Sequence, residues 1–388
     1  MRQQLEGARA VAEAVRLCRP QVIAAYPITP QTHIIEHLAK MVADGDLIAE
    51  YVSVESEFAA ASLVLGAVAG GARSFTASAS QGLLLMTEVL YNIAGMRLPV
   101  VMVCANRAIS SPINIFSDHQ DSMSQRDTGW IQLYVESNQE AVDTLIQAYR
   151  IAERCELPVM VCMDGFFLTH TFEPVDMPDQ AVVDQFLPTF QFARTLDPKH
   201  PMTLGGGSEP ENYLEFRASQ HVALLQAQEV IKTTDADYAE HFGRGYGGLI
   251  DPYRVDGADT VLLGLGSMMG AVKDVVDSLR EQGQAVGALR LRCFRPFPVL
   301  DLVQQLAGVK RVVVLEKAFS AGASGIVAIE LRAAFYDAGL SIPVAGFIAG
   351  LGGRDVTPAV IEAALHRAIA TNTPIDSDFL DCQLDSVL

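Results

Sequence analysis

Basic residues are scarce in this sequence: 28 Lys and Arg stand against 46 Asp and Glu, a formal net charge of −18 at pH 7. Without a basic face there is no electrostatic source of non-specific attraction to nucleic acid or to an anionic membrane surface, so neither is expected as a partner. Six cysteines occur, at Cys18, Cys104, Cys155, Cys162, Cys293 and Cys382, and no two form a Cys-x-x-Cys pair. An iron–sulfur or structural zinc site built from this chain alone is therefore not expected. Cys104 and Cys162 lie in apolar strand-like runs and read as small hydrophobes. Long apolar runs are missing too: the longest uncharged stretches, Phe58 to Ala72 and Ala338 to Gly353, are short for a bilayer span and rich in Ala and Gly. Residues Met1 to Cys18 interleave Arg2, Glu6, Arg9, Glu13 and Arg16 with apolar positions, the pattern of an amphipathic helix and not of a secretory segment. A cytoplasmic location is the resulting expectation.

What is present suits a soluble globular protein. Half of the 388 residues are hydrophobic and 19% are charged, which excludes a disordered or coiled-coil chain. The length fits two or three domains, each able to bury a substantial core. In the first half, Gln21 to Ala25, Ser74 to Ala77, Val100 to Cys104 and Pro158 to Met163 read as buried strands. Helical segments separate them: Thr32 to Ala43, Ser56 to Ala69, Leu83 to Ala94 and Gln139 to Glu153. That alternation predicts an α/β fold with a parallel sheet covered on both faces. From about Pro188 the periodicity weakens, and two glycine-rich runs, at 205–208 and 243–248, bracket a polar helix from about Tyr213 to His241. A second α/β unit follows, with strands at Thr260 to Leu263, Ala285 to Leu291, Arg311 to Leu315 and Val344 to Ile348, and helices at Met269 to Gln282 and Gly325 to Ala338. The expected division is 1–187, a connector over 188–250, and 251–388.

Two motif matches are set aside. His33-Ile34-Ile35-Glu36-His37 matches a metallopeptidase pattern, but no third ligand is marked and the plainer reading is two helix-surface histidines. No metal ligand set is assigned to this chain. The turn Gly264-Leu265-Gly266-Ser267-Met268-Met269-Gly270 has its third glycine one residue late for a dinucleotide fingerprint; tight strand-to-helix packing explains it, although such a turn can also bind an anion.

Four polar segments sit where chemistry is found in open α/β sheets, beyond the carboxyl ends of strands. Tyr26-Pro27-Ile28-Thr29-Pro30 is a turn stiffened by two prolines. Val54-Glu55-Ser56-Glu57-Phe58 runs into a helix so apolar that Glu57 should lie near an interior or interface, where a carboxylate needs a specific partner. Ser78-Ala79-Ser80-Gln81-Gly82 again joins a strand to a helix. The fourth, Arg107 to Trp130, is a long polar stretch after a buried strand. Arg107 has two readings: a structural ion pair with an Asp of its own loop, or a planar guanidinium held to take a carboxylate.

Together these segments resemble the α subunit of pyruvate and related 2-oxoacid:ferredoxin oxidoreductases, which depend on thiamine diphosphate. The resemblance rests on Tyr26 to Pro30, Ser78 to Gly82, Asp118 to Trp130, Asp164-Gly165-Phe166, Phe294-Arg295-Pro296-Phe297-Pro298 and Gly350 to Thr357, six segments in order over nearly the whole chain. It implies a pyrimidine-type thiamine-diphosphate-binding domain followed by a transketolase C-terminal-like domain. It also implies that Glu57 is the catalytic carboxylate at the cofactor's pyrimidine ring, that Thr29 and Arg107 contact the 2-oxoacid, and that Pro27, Ile28, Ser80 and Gln81 help to bind cofactor. A carboxylate beside that ring would assist removal of the cofactor's C2 proton. The Gly-Asp-Gly segment with a following Asn that holds the diphosphate and Mg²⁺ is missing; Met163-Asp164-Gly165 has no fitting Asn after it. The resemblance therefore implies a shared site. A β subunit would bring the diphosphate and Mg²⁺ ligands, γ and δ subunits would bring [4Fe-4S] clusters, and an external acceptor would take the electrons, usually with formation of an acyl-coenzyme A. Two other readings stay open: the β subunit of a lipoamide-linked 2-oxoacid dehydrogenase, against which the Tyr26 and Asp118 segments argue, and a non-catalytic structural subunit.

Overall fold

Strands buried on both faces must be apolar along their whole length, and a parallel neighbour requires a crossover that returns the chain to the same edge. The computed structural model of the chain, which describes residues 2–371 and 375–384, follows that logic twice. In the first sheet Val22–Ala25, Ser74–Ser78, Val101–Asn106 and Val159–Asp164 run side by side in parallel. Glu50–Ser53 extends one edge and Ile131–Tyr134 the other, both parallel. A seventh strand, Cys293–Arg295, pairs antiparallel with Ile131–Tyr134, so the second half of the chain completes the sheet of the first.

The second sheet has six strands in the order Asp378–Phe379, Val344–Ile348, Arg311–Glu316, Thr260–Gly264, Val286–Leu291, Ile250–Tyr253. All pairings are parallel except that of Ile250–Tyr253 with Val286–Leu291. Between the sheets in sequence lies the helix Pro210–Phe242, begun by a proline at its first turn and ended by Gly243 in the left-handed region. One apolar cluster joins the units: Trp130, Tyr134 and Met160 of the first pack in the same cluster as Leu263, Leu289 and Phe294 of the second. Buried charge crosses the same boundary, with Glu140 pairing with Arg290 at 2.6 Å and with Arg292 at 3.2 Å. None of the described helices is long and apolar enough to cross a membrane.

Two local differences from the sequence reading have physical causes. The amphipathic helix starts only at Gly7; Arg2–Glu6, which offers little apolar surface for a helix to bury, is a strand paired antiparallel with Phe172–Asp176. The segment expected as one helix from Leu83 is two, Ser80–Leu85 and Thr87–Gly95. Thr87 Oγ1 donates to the Leu84 carbonyl at 2.7 Å, a local bond that competes with the helical ladder at the break.

Candidate active site

In the first sheet the chain moves outward from Val22–Ala25 to Glu50–Ser53, then back to the other side of Val22–Ala25 for Ser74–Ser78. The order reverses there, and the crevice beyond the carboxyl ends of those two strands is where open α/β sheets bind ligands. The turns that leave the two strands are the Tyr26 to Pro30 and Ser78 to Gly82 segments. Gln31, fully buried, ties them together: its Nε2 donates to the Ala77 carbonyl at 2.8 Å, and its Oε1 accepts from Ile28 N at 3.3 Å. Pro27 and Thr29 are exposed on this turn and Ile28 is half-buried.

Asp121, in the short helix Gln120–Ser124, organises the site and was not singled out in the sequence. Its Oδ2 accepts from the backbone N–H of Ser80 and of Arg107, both at 2.9 Å, and its Oδ1 accepts from Asn106 Nδ2 at 2.8 Å and from Ser122 N at 2.7 Å. One carboxylate thus locks together the chain leaving two neighbouring strands. Burial raises the Asp121 pKa, and the hydrogen bonds from Ser80, Arg107, Asn106 and Ser122 partly offset that. Cys104, apolar in the sequence reading, directs its thiol toward the same carboxylate at 3.5 Å. Ser80 sits at a left-handed φ of 49°, with Oγ 2.5 Å from both the Ala108 carbonyl and the Gln81 side chain.

Glu57 opens the helix Glu57–Ala69, capped by Ser56, whose Oγ accepts from Ala59 N at 3.2 Å. Its side chain turns inward and the residue is 7% exposed, whereas Glu55 is exposed. No hydrogen bond or ion pair links the Glu57 carboxylate to the other described residues, an unusual state for a buried carboxylate. Gly82 makes room for it: a Cβ there would lie 2.4 Å from Glu57 Oε1 and 2.6 Å from Ser78 Oγ. Ser78 Oγ is itself buried without a hydrogen-bond partner among the described residues. A buried carboxylate and a buried hydroxyl, both unpartnered beside a glycine, form an acceptor and donor pair suited to the edge of a polar heterocycle.

Arg107 is held by backbone carbonyls. Its Nε donates to the Asn114 carbonyl at 3.0 Å and its Nη1 to the Thr29 carbonyl at 3.0 Å, and it forms no ion pair among the described residues. Burial lowers the pKa of the guanidinium, with the charge of Asp121 opposing that shift. Two backbone carbonyls orient the fork, and no carboxylate among the described residues pairs with it directly, an arrangement open to an anionic ligand. The structure therefore brings Arg107 to Thr29, Ser80 to Gln81, and Glu57 to the helix that Ser80 begins.

The turn at Gly264 to Gly270 does hold an anion, and it is one of the protein's own. Asp164, at the end of Val159–Asp164, accepts from Ser267 N and Ser267 Oγ, both at 2.7 Å. It also accepts from Lys317 Nζ at 2.8 Å, Ser117 Oγ at 2.9 Å and His119 Nε2 at 3.0 Å. Gly266, at a φ of 70°, is required here, since a Cβ would stand 2.7 Å from Asp164 Oδ2. Burial alone would raise the Asp164 pKa, but Lys317 and His119 override it and hold the carboxyl well below the usual range. With both oxygens so engaged, Asp164 belongs to the junction between the units. The same junction includes Asp118, which accepts from Gly352 N at 3.1 Å and whose pKa is pushed up to about 6 by burial. A buried strand ending in Asp, paired with a glycine-rich turn able to bind an anion, was the signal available in the sequence for this cluster.

Comparison with known proteins gives a consistent result. Residues 13–236 match the family described as pyruvate flavodoxin/ferredoxin oxidoreductase, thiamine diphosphate-binding, and residues 258–361 match pyruvate:ferredoxin oxidoreductase core domain II. The pyruvate synthase subunit PorA of Methanosarcina barkeri is 48% identical over 384 residues, covering 97% of this chain and 96% of that protein. PorA of Methanocaldococcus jannaschii is 50% identical over 357 residues, covering 91% of each. The ketoisovalerate oxidoreductase subunit VorA of Pyrococcus horikoshii is 44% identical over 360 residues, covering 92% of this chain and 91% of that one. Among solved structures, the 2-oxoglutarate:ferredoxin oxidoreductase from Magnetococcus marinus, with 2-oxoglutarate, coenzyme A and succinyl-CoA bound, superposes with a TM-score of 0.73 at 21% identity. That superposition covers 95% of this chain and 65% of the other, so the chain spans about two thirds of its length and the likeness is one of fold.

Proposed function

The chain belongs to the pyruvate flavodoxin/ferredoxin oxidoreductase family, and from that premise we propose that it is the α subunit of a complex that oxidatively decarboxylates a 2-oxoacid at a shared thiamine diphosphate site. Residues 1–187 are the pyrimidine-type half of that site, 188–250 a connector and 251–388 the transketolase C-terminal-like domain. The observation that carries the reading is the buried Glu57 carboxylate, unpartnered among the described residues and cradled by Gly82 at a topological switch point.

When bound, thiamine diphosphate supplies the carbon nucleophile and the electron sink for decarboxylation. Glu57 would hold the proton at the pyrimidine N1′, and Ser78 Oγ stands beside it. Ser80, Gln81, Pro27 and Ile28 shape the surrounding wall. Arg107 would take the substrate carboxylate through the donors not given to Asn114 and Thr29, with Thr29 at the mouth of the same turn. Pyruvate or a branched-chain 2-oxoacid is the substrate class favoured by the relatives' names. A β subunit would bring the diphosphate and Mg²⁺ ligands, and γ and δ subunits the [4Fe-4S] clusters that pass electrons to an external acceptor, with coenzyme A taking the acyl group. The complex is cytoplasmic in this reading, in keeping with the formal net charge of −18.

Glu57→Gln tests this reading. It keeps size and removes the carboxylate, so the complex should assemble and retain cofactor while deuterium exchange at the cofactor's C2, followed by NMR after acid quench, slows by about 10²-fold or more. Glu55→Gln, at an exposed position, should exchange at the wild-type rate. Normal exchange in Glu57→Gln would remove the carboxylate from the mechanism.

A further inference from the structure

The histidines set aside in the sequence have partners that only the fold reveals. Glu6 ends the strand Arg2–Glu6, His33 and His37 lie one turn apart on the helix Thr32–Asp44, and His170 follows the strand Val159–Asp164. These segments are far apart in sequence and converge at one place. One ligand atom from each of Glu6, His33 and His170 lies within 4.8 Å of the others. His33 Nδ1 is 2.8 Å from Glu6 Oε1, His37 Nε2 is 3.7 Å from Glu6 Oε2, and the rings of His33 and His170 are 4.7 Å apart.

From this convergence we propose that Glu6, His33 and His170 form a binding site for a divalent transition-metal cation of the zinc class. Two imidazoles and one carboxylate suit such an ion better than Mg²⁺ or Ca²⁺, which favour oxygen donors. Thr169 supplies the outer contact that metal-bound histidines commonly have: its Oγ1 is 2.7 Å from His170 Nδ1. With Nδ1–H donating to that hydroxyl oxygen, Nε2 of His170 carries the lone pair. Thr169 is itself fixed, because its Oγ1 accepts from Phe166 N at 2.8 Å. The residues are half-buried, open enough to admit an ion, and the Glu6–His33 contact has only to widen by a few tenths of an ångström. Arg9, whose charge reaches His37, is paired with Glu13 at 2.5 Å.

A cation here would act structurally, pinning three segments beneath the substrate turn. The helix bearing His33 begins directly after Thr29-Pro30-Gln31, and Gly165, five residues before His170, packs so close to Pro30 that a Cβ would stand 2.5 Å from its Cγ. The site is separate from the thiamine half-site and uses none of its residues.

The untagged full-length chain, titrated with Co²⁺ as a spectroscopic probe and then with Zn²⁺, tests the proposal. Wild type should develop a visible d–d band that saturates at about one equivalent and is displaced by Zn²⁺, and Zn²⁺ should raise its melting temperature, because a ligand that binds only the folded state stabilises it. His33→Ala/His170→Ala should lose both responses, as should Glu6→Gln, a nearly isosteric change that keeps the fold intact. His221→Ala, an exposed histidine on the long helix, should keep both. Absence of the band in wild type, or its survival in the double variant with an unchanged metal-free melting curve, would overturn the site and leave the His33–Glu6 contact as a surface pair.

Discussion

Arg107 shows how much a single side chain depends on what surrounds it. Its guanidinium is fixed by the carbonyls of Asn114 and Thr29 and its backbone N–H by Asp121, yet no carboxylate among the described residues forms an ion pair with it. Arg107→Ala should therefore remove mainly substrate-carboxylate recognition. A charge-assisted bidentate pair contributes roughly 1.5–3 kcal/mol, so steady-state kinetics of the complex should show kcat/KM falling by about 10- to 150-fold, with thiamine diphosphate content unchanged. Unaltered kinetics would mean that the guanidinium serves only to brace the loop. The sequence presented Arg107 with two open readings because an ion pair depends on distances that spacing does not encode. It marked Glu57 as a carboxylate entering a helix with no polar face, and the residue is buried there. It could not mark Asp121, whose importance lies in accepting two backbone N–H groups from segments 41 and 14 residues away.

At the scale of elements, the strand ends of the two sheets meet through buried polar contacts, and Asp164 is the centre of that contact. Lys317→Met leaves the Asp164 carboxylate buried without its cation, which should cost about 3–5 kcal/mol and lower the thermal midpoint of the complex. Adding Asp164→Asn should recover part of that loss, since a neutral amide needs no counter-charge, and the double-mutant cycle reads the coupling directly. Additive losses would deny the pair its role. The sign with pH follows from the depressed Asp164 pKa: its stabilisation is fully present above the unfolded value of 3.8 and fades as pH falls through the lower folded value. The principal buried strands were legible because both of their faces are apolar. Glu50–Ser53 was not, being an edge strand with exposed ends, and neither was Ile131–Tyr134, where buried Gln132 interrupts the apolar run and donates to the Ser122 carbonyl at 2.7 Å. Cys293–Arg295 was out of reach for a different reason: its partner strand lies about 160 residues earlier, and nothing local announces the pairing.

For the whole molecule, the two α/β units share an apolar cluster, a strand and a buried charge network, so they present one preorganised surface to partner subunits. On that surface, in the proposed reading, Glu57 and Ser78 would meet a pyrimidine edge and Arg107 a carboxylate. Asp164, the acid of the nearest approach to a diphosphate motif, is held by Lys317, His119, Ser117 and Ser267. The division of labour between subunits is therefore the central claim, and isothermal titration of thiamine diphosphate with Mg²⁺ tests it most directly. The assembled complex should bind one cofactor per α subunit, and this chain alone should show no saturable binding over the same concentrations. Tight, stoichiometric, Mg²⁺-dependent binding by the chain alone would contradict the shared site.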